Sequence, residues 1–427
     1  MLKHKQAALL LVPVLILSVY GHVCAGIFRK GPYLIYPNDN TKMTVLWQTM
    51  KTPKVCFIEW GEENAFAEKA EVTESDNTEH GHQFSYTITG LKPGTRVFYR
   101  ITANGEQEAG SFRTAPPDMA GSLSFYAYGD TRSHVDDHNA VVGQILKDMG
   151  ISLHTRQTFV IHTGDWVDAG TEEHQWDDDY FVRSQKNLNS MLRYMPVMGC
   201  RGNHEGPDRS SLFTKYLPYN YKEKNRDACY YSFDYGSAHF TVIDQYAGDM
   251  FRDGIKKGSK QYKWIKKDLA ASKKPWKIAL FHEPGWSAGG HRNDEDVQKL
   301  LQPLFEKYGV RLVLAGHCHF YSRCEVNGIT HITTGGGGAP LYESDESAPH
   351  VMKCKKVHHF VRVDIDKDTM HITAIDKNGN IIDTAVIPKQ RSNNHSLLYV
   401  IIAAAAAVLT LTAAVYITTR KTKITSA

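Results

Sequence analysis

Five short segments of this chain each end an apolar run on residues that can bind metal. They are Gly129-Asp130-Thr131-Arg132, Gly164-Asp165-Trp166-Val167-Asp168, Gly202-Asn203-His204-Glu205, Phe281-His282 and Gly316-His317-Cys318-His319. Most follow a β-rich stretch, so each polar side chain is expected on the loop where a strand ends. The chain must therefore fold so that its strands deliver these loops. Carboxylate, amide and imidazole donors together suit borderline and hard divalent or trivalent metals rather than soft ones. Two such metals held close together form a clamp for phosphoryl transfer. Singly, a Gly-Asp is usually a turn, an Asn a cap and a buried His a bonded core residue. Five of them, in order and at strand ends, make that reading improbable.

The segments lie in a region of alternating strands and helices, from about 120 to 388. Leu123 to Tyr128 reads as a strand, 138 to 149 as a helix, and Thr158 to His162 as the next strand. His239 to Asp244, Lys277 to Phe281 and Arg311 to Ala315 read as further strands, with helices over Gln261–Ala271 and Val297–Tyr308. This is the pattern of βαβ units. Residues 357 to 388 return to strand and turn, with Lys377-Asn378-Gly379-Asn380 as a hairpin. Ahead of this region, residues 26–116 read as all-β. Thr44 to Thr49 and Phe84 to Ile88 alternate like half-buried strands, and Leu91-Lys92-Pro93-Gly94-Thr95 is a turn before the strand Val97 to Ile101. A β-sandwich is expected there, with Trp47 and Tyr99 in its core. Ala115-Pro116-Pro117 reads as the linker.

The length of 427 residues suits two domains plus appendages. Residues 1–25 read as a secretory signal: Lys3 and Lys5, an apolar stretch from Ala7 to Val19, and Val23-Cys24-Ala25 before a cut at Gly26. Leu397 to Thr418 carries no charge and is long enough to span a hydrocarbon core of ~30 Å. Arg420, Lys421 and Lys423 follow it, as a cytoplasmic flank should. The expected order is a linker at 389–395, a single transmembrane helix at 396–419 and a basic cytoplasmic tail at 420–427. The catalytic part would then lie outside the cytoplasm, and an oxidising compartment permits disulfides among the cysteines. The net charge of +4 gives no case for nucleic-acid binding, and no basic stripe stands out in the sequence.

The order and spacing of the five segments resemble the metallophosphoesterase (calcineurin-like phosphoesterase) superfamily, in its purple-acid-phosphatase-like branch. Gly90-Leu91-Lys92-Pro93-Gly94-Thr95 with Tyr99 resembles a fibronectin type III domain and the N-terminal domain of purple acid phosphatases. The resemblance implies a four-layer α/β/β/α sandwich holding two metal ions, Fe, Zn or Mn. It implies Asp130 and His319 on the first metal, Asp165 bridging both, and Asn203, His282 and His317 on the second. It makes His204 the candidate for protonating the leaving alkoxide, Glu205 the residue that orients it, and Arg132 a phosphate clamp. The implied reaction is hydrolysis of phosphate monoesters by a metal-bound hydroxide. The alternatives are a phosphodiesterase or nucleotide hydrolase on the same site, and a non-catalytic surface binding protein.

The chain departs from these patterns in two places, the first being Asp130-Thr131-Arg132 where general metallophosphoesterases begin with Asp-x-His. Asp168 stands where purple acid phosphatases carry the tyrosine that binds ferric iron. His134, His138, Asp168 or water are candidates to complete the first site, and Tyr128 and Tyr321 are the nearest tyrosines in sequence. His291, Arg292 and Tyr321 are weaker candidates for reaching substrate. Gly335-Gly336-Gly337-Gly338 reads as a tight turn behind the site.

Overall fold

In this computed structural model the described residues are 26–62, 66–78, 81–150, 158–205, 211–223, 228–248 and 253–389. The signal peptide, the transmembrane helix and the basic tail expected from the sequence lie outside them. Among the described residues no helix is long and apolar enough to cross a membrane.

The N-terminal part holds eight strands: β1 (Phe28–Ile35), β2 (Met43–Thr49), β3 (Cys56–Gly61), β4 (Glu68–Glu71), β5 (Glu74–Thr78), β6 (Gly81–Ile88), β7 (Arg96–Ala103) and β8 (Glu106–Arg113). They form two four-stranded sheets, β1-β2-β6-β5 and β4-β3-β7-β8, with antiparallel pairing throughout. Alternation along the strands puts Val45 and Trp47 of one sheet against Ile58, Tyr99 and Phe112 of the other in a single buried core. Trp47 stacks on Phe84 with centroids 5.5 Å apart. The expected sandwich core residues are therefore in place.

The rest is built on two larger sheets. The first has order β11-β10-β9-β19-β20-β21, from β9 (Leu123–Tyr128), β10 (Phe159–His162), β11 (Val197–Gly199), β19 (His359–Ile365), β20 (Thr369–Asp376) and β21 (Ile381–Pro388). The second has order β12-β13-β14-β15-β17-β16-β18, from β12 (Tyr231–Tyr235), β13 (Ala238–Val242), β14 (Trp276–Leu280), β15 (Val310–Ala315), β16 (Tyr321–Val326), β17 (Ile329–Thr334) and β18 (Val351–Lys355). β9, β10 and β11 run parallel, as do β13, β14 and β15, because helical crossovers join them. Phe125 and Phe159 of the first sheet meet Phe240 of the second, so the sheets pack face to face.

Helices cover the outer faces. α1 (Val135–Gly150) turns Val141, Val142, Ile145 and Met149 inward, the spacing of one helical face. Three further helices are α2 (Glu173–Gln175), which continues as a π-helical turn over Trp176–Tyr180, α3 (Lys186–Tyr194) and α4 (Ser211–Tyr216). On the other side α5 (Lys260–Ala271) is capped by Ser259, whose hydroxyl accepts from the Tyr262 N–H, and buries Ile265 and Leu269. α6 (Gln302–Tyr308) follows a π-helical turn at Val297–Leu301 and ends at Gly309 with φ 77°, a left-handed cap that glycine adopts without strain. The single helix expected over Val297–Tyr308 is thus two helical types in series. The outer face of α5 exposes Lys260, Lys263, Lys266 and Lys267, a basic face that becomes evident only once the helix is drawn.

One buried ion pair sets a pH dependence. The His239 ring on β13 bridges Asp234 (2.7 Å) and Asp268 (2.9 Å). Burial would lower its pKa, but the two carboxylates raise it to about 9. The folded-state value lies above the unfolded one, so the stabilisation is complete below about pH 6.5 and is lost as pH rises through about 9. The expected size is on the order of 2 kcal/mol, discounted because Asp234 is half exposed. Chemical denaturation at pH 6 and pH 10 should show that loss for the wild type and a much smaller one for His239→Gln.

Candidate metal centre

The parallel strands of both sheets end at the same edge, and the loops there carry the donors. Asp130 follows β9, Asp165 follows β10, Asn203 follows β11, His282 follows β14, and His317 and His319 follow β15. The loops are tied to one another by backbone. The Asp130 N–H donates to Gly164 O (2.9 Å), Thr131 N–H to Asp165 O (3.0 Å) and Gly316 N–H to His282 O (2.9 Å). Three of the donors sit at left-handed backbone: Asp130 (φ 57°), Asp165 (φ 55°) and His317 (φ 67°). Strain of this kind collects at functional sites. Gly202 is required by close approach, since a Cβ there would collide with Asp165 Oδ1.

The donor atoms converge in two groups that share Asp165. Ligand atoms of Asp130, Asp165 and His319 all lie within 4.8 Å of one another. Asn203 Oδ1 is 3.0 Å from His282 Nε2 and 3.0 Å from His317 Nδ1, and His282 Nε2 is 3.3 Å from Asp165 Oδ1. Donors around one ion at about 2.1 Å stand roughly 3 Å from each other, so these spacings fit metal coordination.

Each imidazole is oriented by a second contact. His282 Nδ1 meets Thr163 O at 2.8 Å, which leaves Nε2 for the centre. His319 Nδ1 meets Pro340 O at 2.7 Å, which leaves Nε2 at 3.5 Å from Asp130. Such contacts fix tautomer and ring angle in metal sites. The His317 ring stacks on His291 (4.1 Å) and the His319 ring on Tyr342 (4.1 Å).

The electrostatics call for a cation. Asp130 and Asp165 are 0% and 1% exposed, and burying two carboxylates is costly unless positive charge compensates them. Burial raises the Asp130 carboxyl. Burial would lower His282, but the Asp165 carboxylate beside it raises it. Burial holds His317 and His319 well below the usual imidazole range, hence neutral, the form that ligates metal. The residues present therefore fit a pair of metal ions.

The remaining candidates divide. Arg132 reaches the centre: its Nη1 is 3.0 Å from Asp168 Oδ1 and its Nε 3.5 Å from Asp165 Oδ2. His204 donates from Nδ1 to Asp168 O (2.6 Å), which turns Nε2 toward Asp165 Oδ2 at 3.8 Å. Glu205, expected to orient His204, does other work. Its carboxylate accepts from the N–H groups of Asp165 (3.0 Å), Trp166 (2.8 Å) and Gly202 (2.8 Å), holding two ligand loops together. The peptide N–H groups of the β10 loop point at it, whereas the His204 ring lies on the far side against Asp168.

Of the residues proposed to complete the first site, Asp168 turns to Arg132 and Ser133, His134 to Asp137, and His138 to the Tyr128 hydroxyl. The Tyr321 hydroxyl donates to Asp383 and Arg292 pairs with Glu295, so neither belongs to the centre. Gly337 and Ala339 donate to Gly129 O and Asp130 O at 2.8 Å each, which places the glycine run behind the site as a tight turn. Cys318 is a buried free thiol, as are the other five described cysteines.

Two residues were invisible beforehand. Tyr342, far downstream in a loop, has no motif to flag it. Arg201 precedes Gly202-Asn203 and is buried, with Nε 2.8 Å from Asp244 Oδ1 and Nη2 donating to Tyr246 O at 2.7 Å.

Comparison with known proteins agrees with this architecture. Residues 123–321 match the calcineurin-like phosphoesterase family, and residues 30–114 match the purple acid phosphatase N-terminal domain. The chain is 28% identical to purple acid phosphatase 15 of Arabidopsis thaliana over 305 residues, 62% of this chain and 56% of that one. It is 25% identical to human acid phosphatase type 7 over 322 residues, 68% of this chain and 69% of that one. A purple acid phosphatase from yellow lupin (Lupinus luteus) seeds superposes with a TM-score of 0.70 at 20% identity, covering 84% of this chain and 74% of that one. The chain spans little more than half the length of the Arabidopsis relative. The chain thus carries a calcineurin-like phosphoesterase domain preceded by a purple acid phosphatase N-terminal domain, and the relatives it resembles are named purple acid phosphatases.

Proposed function

We propose that this protein hydrolyses phosphate monoesters at a two-metal centre built from Asp130, Asp165, Asn203, His282, His317 and His319. The observation that carries the reading is the shared Asp165 carboxylate, set between an Asp–His group and an Asn–His–His group at ligand spacing. When bound, such a metal pair supplies Lewis acidity to the phosphoryl group and a nucleophile at neutral pH. The chain's own residues do the rest. Arg132 lies at the mouth with its side chain 14% exposed, in reach of non-bridging oxygens, and its planar fork suits them. His204 Nε2 faces the centre and can hand a proton to the leaving alkoxide. Glu205 and the glycine turn hold the loops still, and His291 and Tyr342 wall the opening.

The direct test is metal analysis together with hydrolysis of an aryl phosphate monoester and a matching diester. Two metals per chain with monoester turnover supports the reading. Diester-selective turnover favours the diesterase alternative, and two metals with no turnover of either favours a binding protein.

Arg132→Ala should raise KM more than it lowers kcat. The loss in kcat/KM should be about 10–100-fold, the worth of one or two charge-assisted hydrogen bonds. An unchanged KM for phosphate esters would remove Arg132 from the substrate.

Export and membrane anchoring remain part of the proposal, resting on residues 1–25 and 397–418. Full-length protein should partition into detergent, whereas a chain ending near Gln390 should be soluble and keep its activity. Full-length protein that stays in the aqueous phase would sink the anchor.

A further inference from the structure

The described residues of the N-terminal sandwich contribute no donor to the metal centre, yet its first strand grips the segment that holds His204. Lys30 on β1 is 0% exposed. Its Nζ lies 2.5 Å from Asp177 Oδ1, 3.1 Å from Glu173 Oε1 and 3.0 Å from Gln48 Oε1, and sits over the Tyr216 ring. Arg29 adds a second contact to Asp177. Glu173 and Asp177 belong to α2 and its π-helical turn. A π-turn within a helix often marks a functional position.

From that turn the contacts run to the site. Asp179 Oδ2 accepts the Asp168 N–H at 2.8 Å, and Trp176 Nε1 donates to Gly170 O at 3.0 Å. The Asp168–Gly170 turn in turn fixes the site residues. Asp168 O receives His204 Nδ1 at 2.6 Å, Asp168 Oδ1 receives Arg132 at 3.0 Å, and the Gly170 N–H donates to His204 O at 2.9 Å. No slack is left at Gly170, where a Cβ would meet Glu205 Cα at 2.7 Å. His204 is thus hung on a carbonyl whose own residue is held by Asp179, on a helix held by Lys30.

We propose that Lys30 and Asp179 are positioning residues, through which the N-terminal sandwich sets the placement of His204 and Arg132. The inference rests on the phosphomonoesterase reading above. It goes beyond that reading by giving the sandwich a part in turnover. A displacement of about 1 Å at a reacting group can cost on the order of 100-fold in rate, so a loosened turn should be visible in kcat.

The test uses full-length, metal-loaded protein and an aryl phosphate monoester. Asp179→Ala removes the acceptor for the Asp168 N–H, and Asp179→Asn keeps an oxygen in its place. Lys30→Met removes the charge at the sandwich end. Asp179→Ala should lower kcat by about 10–100-fold through His204 and raise KM through Arg132, with metal content unchanged. Asp179→Asn should return to near wild type. Lys30→Met should lower kcat in the same sense and speed hydrogen exchange in peptides covering 166–180 and 203–205.

If Asp179→Ala and Lys30→Met lower the thermal midpoint but leave kcat intact, the contacts are structural only and the inference falls. If Asp179→Asn is as slow as Asp179→Ala, the hydrogen bond is not the link and the inference falls as well. A wild type that binds two metals and turns over no monoester overturns the function instead. Exchange in Lys30→Met then decides the coupling alone: faster exchange over 203–205 upholds it, and unchanged exchange overturns it.

Discussion

Asp165→Asn should leave the chain folded and strip metal from both halves of the centre. The carboxylate is 1% exposed and stands 3.3 Å from His282 Nε2 on one side, within 4.8 Å of the Asp130 and His319 donors on the other. An amide keeps the shape but not the charge, and a shared anion is what offsets repulsion between two neighbouring cations. The fold should survive, because removing a buried charge removes its desolvation cost. Loss of an outer partner of a metal ligand already costs about 10–100-fold, so loss of the shared ligand should cost more than about 100-fold in kcat/KM. Elemental analysis should find less than one metal per chain. Two metals retained with ordinary turnover would show that Asp165 does not bridge.

Arg201→Met should be the most destabilising substitution near the site. It leaves Asp244, 1% exposed, without its cation. Asp244 keeps the Cys229 N–H at 2.7 Å and the Tyr246 N–H at 3.0 Å, which are not enough to replace a buried guanidinium. Breaking a buried pair from one side costs about 3–5 kcal/mol. At about 2–4 °C per kcal/mol for a domain of this size, the thermal midpoint should fall by roughly 10 °C. Asn203 is two residues away, so the second metal should also bind more weakly. Pairing Arg201→Met with Asp244→Asn should recover part of the stability, since the orphaned charge is then gone. A full 10 °C loss in the double variant would mean that packing of the Arg201 stem, not the ion pair, carries the effect.

Most of the proposed metal ligands were legible in the sequence because they follow strands that read as strands. Nearly continuous apolar runs before Asp130 and Asp165, buried on both faces, mark strand ends, and local pattern determines strand ends. Glu205 shows where this stops. Its spacing to His204 suggested a partner for that ring, but its carboxylate serves the Gly202 N–H and, in a loop far earlier in the chain, the N–H groups of Asp165 and Trp166. Tyr128 and Tyr321 were close in sequence and lie in the wrong places. Tyr128 is bonded to His138 and Tyr321 to Asp383, each tyrosine lying within its own strand rather than on the loop that carries the donors.

The order of donors, their chemistry and the strand-loop grammar that presents them were fixed by the chain itself, as was the sandwich ahead of them, since these depend on residue type and short-range periodicity. What only the tertiary structure decided was which loops touch. Asp165 acquires two sets of neighbours, each drawn from loops of both sheets. Arg132 faces Asp168 rather than the nearby Asp136 and Asp137, and Lys30 reaches Asp177 across 147 residues. Such contacts are settled by how sheets and helices pack in three dimensions, and separation along the chain carries no record of it.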